Sequence, residues 1–328
     1  MDAPEQMQRL IIGHRMTQAV HVAAVLGLSD LLAGDPVGVA DLAAATDCDL
    51  RSLHRLLRAL ASIEVYRELP DGRYTSTPLG DQLRSDSVGS RRALAIFEGR
   101  PYNWQPWSAL VHNVRTGENA FTAVHGRGSW EYRTDHPDES TIFDAAMTSI
   151  SDRVAAAILD AYDFGRFATL VDVAGGRGAL LAAILARHPA LRGVLFDQPH
   201  VVAGAHLAGA EARCDIVGGD MFVEVPAGGD AYLMKAILHD WEDPQAHAIL
   251  RACRQVVPSS GALIVVERLL DSANEHVAFA DLNMMVGPGG LERSAGEYAE
   301  LFGRAGFRLT RTVPTATEWV VIEAVPTE

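Results

Sequence analysis

Leu170-Val171-Asp172-Val173-Ala174-Gly175-Gly176-Arg177-Gly178 decides the fold: a β-branched run breaks there into a glycine turn that opens directly into the alanine-rich stretch 179–187. A buried strand ending in such a turn is how a parallel α/β sheet presents bare backbone to a nucleoside-bearing ligand. The alternation continues downstream, where residues 168–173, 193–196, 214–217, 231–233 and 262–267 read as strands separated by helical or loop stretches. Residues 307–312 and 319–324 read as an antiparallel pair closing one edge, which a dinucleotide domain does not usually have. The expected fold class is α/β, a Rossmann-like, doubly wound, mostly parallel sheet with an antiparallel edge.

Upstream the pattern changes. Residues 5–27 read as a single helix, apolar around much of its circumference through Met7, Leu10, Ile11, Met16, Val20, Val22 and Val25, and such a helix wants more cover than one small domain gives. Two short helices over 37–46 and 49–63 and a hairpin over 65–76, turning at Pro70-Asp71-Gly72, complete a winged-helix pattern. Arg51, Arg55 and Arg58 share one face of the second short helix, spaced to meet DNA phosphates. Asp41, Asp47, Asp49, Glu64 and Glu68 dilute that charge, and a net charge of -14 repels polyphosphate, so scaffold and dimer contact is the better reading and no nucleic acid is expected. Residues 92–163 hold a large share of the aromatics, among them Phe97, Tyr102, Trp104, Trp107, Trp130 and Phe143, rings able to line a slot for a flat substrate.

At 328 residues and 48% hydrophobic, the chain is long enough for two domains with real cores. The expected division is a winged-helix-like domain over 1–98 and a second domain over 99–328, the latter comprising a helical substrate-lining segment (99–163) and the Rossmann-like core (164–328). The first thirty residues lack signal-peptide character and no apolar run approaches the roughly 20 residues that span a bilayer, so a cytoplasmic protein without membrane contact is expected. Cys48, Cys214 and Cys253 are scattered, without zinc-site spacing, and no metal is expected.

The ligand follows from what the glycine turn lacks. A dinucleotide fingerprint carries a third glycine where this chain has Leu181, whereas Gly175-Gly176 still lets a ligand without phosphates lie on the backbone. Asp197 ends the next strand, placed for a bidentate hydrogen bond to ribose hydroxyls, and Gly219-Asp220-Met221-Phe222 supplies an acceptor and apolar groups for an adenine.

Together these residues resemble the S-adenosylmethionine-dependent methyltransferases, and more narrowly the plant-type (caffeate/hydroxyindole-like) small-molecule O-methyltransferase family that also occurs in bacterial natural-product pathways. The resemblance spans nearly the whole chain. It rests on the 171–178 turn, on Gly219-Asp220-Met221-Phe222, on Leu233-Met234-Lys235-Ala236-Ile237-Leu238-His239-Asp240-Trp241 and on Gly289-Gly290-Leu291-Glu292-Arg293. One departure is Ala174, where the family usually has glycine. The resemblance implies a class I methyltransferase fold with an N-terminal dimerisation domain, a homodimer, and S-adenosyl-L-methionine as donor with S-adenosyl-L-homocysteine as product. The donor site expected comprises Asp172, Gly175, Gly176, Gly178, Asp197, Gly219, Asp220, Met221 and Lys235. Met147, Asn283 and Met284 are expected to line the acceptor pocket, with Trp107 among the aromatics that do so.

Methyl transfer to a phenol, pKa near 10, needs a base. His239 follows a strand at the carboxyl edge of the sheet, and an unperturbed pKa near 6.5 would leave it mostly neutral. Glu267 ends the next strand and can emerge beside it; the resemblance gives it the orienting role and makes Glu292 the second flanking carboxylate. Asp240 is expected to point away. The function expected is O-methylation of a phenolic, naphthoate or polyketide-type aromatic, as in antibiotic biosynthesis. Drift to N- or C-methylation, or to hydroxylase or decarboxylase chemistry, is the alternative that retention of His239, Glu267 and Glu292 argues against; a winged-helix DNA-binding regulator is the third.

Overall fold

The computed structural model describes residues 2–87, 89–271 and 274–328. It divides into two compact units, Met1–Trp104 with Asp138–Ile150, and Gln105–Pro137 with Ser151–Glu328.

In the first unit the expected single helix over 5–27 is two helices, Ala3–Ile11 and Gly13–Val25, separated at Ile12 (φ -96°, ψ 8°). Gly13, a poor helix former, follows the break, and the apolar periodicity running through it hid the interruption. Asp2 and Glu5 close a capping box on the first helix, yet that helix buries none of its residues and leaves Met7, Leu10 and Ile11 56%, 73% and 63% exposed. Asp49 caps the helix Leu50–Ser62 by accepting from the Ser52 N–H, so Leu53, Leu57 and Leu60 turn inward while Arg51, Arg55 and Arg58 stay exposed. The strands β1 (Tyr66–Glu68) and β2 (Tyr74–Ser76) pair antiparallel as the wing, and Tyr66 and Tyr74 close the core formed by Leu28, Leu32 and Leu42.

The second unit is built on a seven-stranded sheet of order β5-β4-β3-β6-β7-β9-β8. Its members are β3 (Thr169–Val173), β4 (Arg192–Asp197), β5 (Cys214–Gly218), β6 (Ala231–Lys235), β7 (Ala262–Glu267), β8 (Phe307–Pro314) and β9 (Val320–Pro326). β3 to β7 run parallel, and β9 joins antiparallel to both β7 and β8. All six residues of β7 are buried, the apolar run Ala262–Val266 because both faces of the strand are covered and Glu267 at its end with them. The parallel register brings the carboxyl ends of β3, β4, β5, β6 and β7 to one edge, which gathers the 174–178 turn, Asp197, Gly219, the 236–241 segment and Glu267.

The helix Ala179–Arg187 packs on β4 without a glycine of its own. Leu181 is fully buried, and the room it needs is on the strand: a Cβ at Gly193 would lie 3.0 Å from Leu185 Cδ1 and 3.2 Å from the Leu181 methyls. On the opposite side of the sheet order, Glu323 of β9 accepts from Tyr162 Oη (2.7 Å), Arg166 (2.6 Å) and Arg311 (2.9 Å), tying the end of the helix Pro137–Ala161 to the antiparallel edge. No helix among the described residues is long and apolar enough to cross a membrane.

Candidate active site

The glycine turn after β3 is left-handed at three places, Ala174 (φ 55°), Gly176 (φ 62°) and Gly178 (φ 86°). An alanine in that conformation costs about 1–2 kcal/mol, which explains physically why a glycine suits position 174. A Cβ on Gly175 would sit 2.6 Å from the Asp172 carboxylate, so the chain can close only over glycine. Above Gly176 nothing lies within 4 Å of such a Cβ; this is the open face of the turn. Asp197 holds the turn to β4, its Oδ2 accepting the Gly176 N–H (2.8 Å) and its Oδ1 the Gln198 N–H (2.6 Å). A Cβ on Gly219 would strike the Phe196 ring at 2.6 Å, and exposed Asp220 turns the chain by accepting from the Phe222 N–H (2.9 Å), with Met221 half-buried beside it.

Asp172 is 2% exposed, near the carboxyl end of β3. Burial pushes it up to about 7 against the pull of the Lys235 ammonium. Lys235 is pushed down to about 8 by its own burial, and its Nζ lies 5.1 Å over the Trp319 ring. A buried carboxylate beside an open glycine backbone, with Asp197 and Asp220 at the next strand ends, suits a ligand that brings an ammonium and a ribose diol and no phosphate. S-adenosyl-L-methionine has that chemistry.

Beyond β6, Ala236 (φ 56°) swings the chain out of the sheet into the 3-10 turn Leu238–Asp240. Glu267 Oε1 holds this turn by accepting the N–H groups of Ile237 (3.0 Å) and Leu238 (2.9 Å). His239 is 5% exposed. Its Nδ1 hydrogen-bonds to Glu292 Oε1 at 3.1 Å and faces Glu267 Oε2 at the same 3.1 Å, off the N–H direction. Arg268 Nη1 donates to that Glu292 oxygen at 3.2 Å, and the bridge between Leu269 and Arg293 keeps the two carboxylate-bearing segments side by side.

Two expectations are corrected here. Asp240 does not point away: its Oδ1 is 3.6 Å from His239 Nε2, because the 3-10 turn folds successive side chains toward one another. The imidazole is not mostly neutral: burial lowers its proton affinity, but Glu267, Glu292 and Asp240 outweigh burial and push it up to about 9. Burial pushes Glu267 up, whereas for Glu292 His239 and Arg268 overcome burial and hold it below the usual carboxylate range. His239, Glu267 and Glu292 offer ligand atoms within 4.8 Å of one another. Glu292 Oε1 is shared by Nδ1 and Arg268 and Glu267 Oε1 by two backbone donors, while the second oxygen of each carboxylate is buried without a hydrogen bond.

Of the residues expected at the acceptor, Trp107 sits in the 3-10 turn Gln105–Ala109, and Asn283 and Met284 on the helix Glu275–Val286, all in the second unit; Met147 belongs to the first. The sequence did not single out the aromatic column next to the base. Trp241 meets Phe222 edge-on (4.8 Å) and stacks on Trp130 (5.9 Å, 17°), which in turn carries the buried Arg133 guanidinium at 4.3 Å. Trp130 was among the rings expected to line a slot, Phe222 was placed in the adenine motif and Trp241 follows His239-Asp240, but nothing in the sequence joined these distant residues and Arg133 into one column.

A parallel sheet with an antiparallel edge, a glycine turn over a buried acid and a buried His-Glu-Glu cluster at the carboxyl edge define a class I methyltransferase. The O-methyltransferase domain family matches residues 107–308 and the O-methyltransferase dimerisation domain residues 8–86, and the chain belongs to this O-methyltransferase family. Its methyl donor is S-adenosyl-L-methionine.

A phenazine O-methyltransferase of Lysobacter antibioticus is 43% identical over 324 residues, covering 97% of this chain and 95% of its own. A mitomycin biosynthesis 6-O-methyltransferase of Streptomyces lavendulae is 36% identical over 318 residues (95% and 91%). An 8-amino-8-demethylriboflavin N,N-dimethyltransferase of Streptomyces davaonensis is 35% identical over 329 residues (98% and 95%). Among solved structures, LaPhzM superposes with a TM-score of 0.95 at 42% identity, covering 99% of this chain and 100% of that one. The O-methyltransferase NcsB1 of neocarzinostatin biosynthesis, solved with S-adenosyl-L-homocysteine and 1,4-dihydroxy-2-naphthoic acid, superposes with a TM-score of 0.81 at 32% identity (95% and 96%).

Proposed function

We propose that this O-methyltransferase methylates a hydroxyl of a small aromatic natural product, of phenolic, naphthoate or polyketide type, with His239 as general base. One observation carries the reading: a buried imidazole whose Nδ1 is committed to Glu292, so that Nε2, 3.6 Å from Asp240 Oδ1, is the nitrogen that exchanges a proton with the acceptor. The relatives named for phenazine and mitomycin O-methylation, and the neighbour solved with a dihydroxynaphthoic acid, support the acceptor class.

S-adenosyl-L-methionine supplies an electrophilic methyl group when bound. Asp172 suits its ammonium, Asp197 its ribose diol, and Asp220 with Met221 its adenine, while Gly175, Gly176, Gly178 and Gly219 keep side chains out of its way and Lys235 balances Asp172. His239 Nε2 removes the acceptor hydroxyl proton as the oxygen is methylated, and Glu267 and Glu292 stabilise the imidazolium that forms. Asn283, Met284 and Trp107 are the acceptor-lining set within the second unit. The dimerisation domain and the uncovered apolar face of the helix Ala3–Ile11 support a homodimer. N-methylation is the second reading, favoured by the N,N-dimethyltransferase relative; an aromatic amine needs no base before attack.

Replacing His239 with Gln separates these. Turnover of a naphthol-type acceptor should fall about 100-fold or more with S-adenosyl-L-homocysteine affinity within twofold of wild type, the usual size of a lost general base. Undiminished turnover with hydroxyl acceptors refutes the assignment, and undiminished turnover with amines alone favours N-methylation.

A further inference from the structure

The loop 289–293 touches the base-bearing turn by more than Glu292. Gly290 lies flat against its backbone: a Cβ there would fall 2.0 Å from the His239 carbonyl oxygen and 2.5 Å from the Trp241 nitrogen. Arg293 is 1% exposed, and its guanidinium donates from Nη1 to the Leu238 carbonyl (2.9 Å) and from Nη2 to the Trp241 carbonyl (2.8 Å). Its remaining charge is met by Asp243 Oδ1, 3.2 Å from Nε and 3.1 Å from Nη2, at the start of the helix Asp243–Val256. A buried guanidinium is costly unless fully bonded, and this one is bonded to the carbonyls that bracket His239 rather than to any group that titrates in the reaction.

We propose that Arg293 is a positioning residue for the proton-accepting imidazole: it clamps the backbone on both sides of His239 while Gly290 seats the turn and the adjacent Glu292 takes Nδ1. The inference rests on His239 acting as the base. Physically, the turn is entered through a left-handed alanine at 236, a strained conformation that persists only where its surroundings over-determine it. Glu267 fixes the entry through the Ile237 and Leu238 N–H groups, and Arg293 fixes the exit through Trp241. The planar fork reaches two carbonyls and a carboxylate at once, which an ammonium on a flexible stem does not reproduce.

Arg293→Lys and Asp243→Asn test this. In Arg293→Lys, kcat should fall about 10- to 100-fold, as displacing a catalytic group by an ångström does, with S-adenosyl-L-homocysteine affinity and acceptor KM within twofold. The acid limb of the kcat/KM–pH profile should move to lower pH, because the imidazole shifts relative to the charges around it: Glu267 on β7, Glu292 with Arg268 bound to it, and Asp240 in the turn. Asp243→Asn, at a half-exposed side chain that leaves the core intact, should show the same signature about 3- to 10-fold in kcat. If Arg293→Lys does not fold, Asp243→Asn decides alone. A lowered Tm with wild-type kcat per folded molecule and an unmoved pH profile overturns the proposal. An active His239→Gln enzyme sinks the general-base reading itself; an inactive one beside wild-type-like Arg293→Lys and Asp243→Asn sinks only the positioning role.

Discussion

Replacing Glu292 with Gln should change how the rate depends on pH more than the rate at neutrality. With His239 pushed up to about 9, roughly 1% of the imidazole is neutral at pH 7, and kcat/KM should rise nearly tenfold per pH unit before levelling near 9. That penalty has a return in the proton-transfer step. From a phenol of pKa near 10, transfer to a base at 9 is uphill by about 1.4 kcal/mol, against about 4.8 kcal/mol for an ordinary imidazole at 6.5. In Glu292→Gln one of the two carboxylates lying 3.1 Å from Nδ1 loses its charge, while the amide oxygen can still accept the Nδ1–H and keep the tautomer. The bend should then fall by at least about one pH unit and the alkaline plateau by about tenfold or more. At pH 7 the larger neutral fraction offsets part of the weaker basicity, so the two profiles converge on the acid side, and an assay at one neutral pH would understate the residue. The measurement is kcat/KM from pH 6 to 10.5 at saturating S-adenosyl-L-methionine, with an acceptor whose hydroxyl titrates above that range. A wild-type bend near 6.5, or a bend unmoved in the variant, refutes the account.

Asp172→Asn should stabilise the ligand-free protein while weakening donor binding. Its folded pKa of about 7 lies above the unfolded 3.9, so its charge destabilises the fold increasingly between those values and fully above pH 7, by at most about 4 kcal/mol. A gain of 1 kcal/mol is about 2–4 °C in Tm at pH 8; a lower Tm with unchanged S-adenosyl-L-homocysteine affinity contradicts this. Wild-type protein should scatter light as twice the 35.3 kDa chain, and Leu10→Glu with Ile11→Glu should halve that mass. A monomeric wild type at micromolar concentration overturns the dimer.

Strand periodicity made the sheet legible, since residues 168–173 and 262–267 announce themselves by β-branched runs and their glycine or acidic ends. The proximity of Glu267 to His239 was legible for the same reason, because parallel neighbours deliver their last residues to one edge. What sequence could not convey was electrostatics across the fold. The expected pKa near 6.5 belongs to an isolated imidazole, while Glu292 approaches from a loop far along the chain and Asp240 turns back only because the turn is 3-10. Arg293 was visible within a motif but not its task, since its partners are backbone carbonyls, which leave no trace in side-chain identity.

The contact of Leu181 and Leu185 with Gly193 bears on how such folds are recognised. Closeness between a helix and the strand beneath it belongs to the pair, and the missing side chain can be subtracted from either partner. Here it is subtracted from the strand. A glycine fingerprint written only along the turn and its helix therefore describes half of an interlocking surface, and positions 181 and 193 are better treated as one complementary unit whose combined volume is constrained while the share carried by each is free.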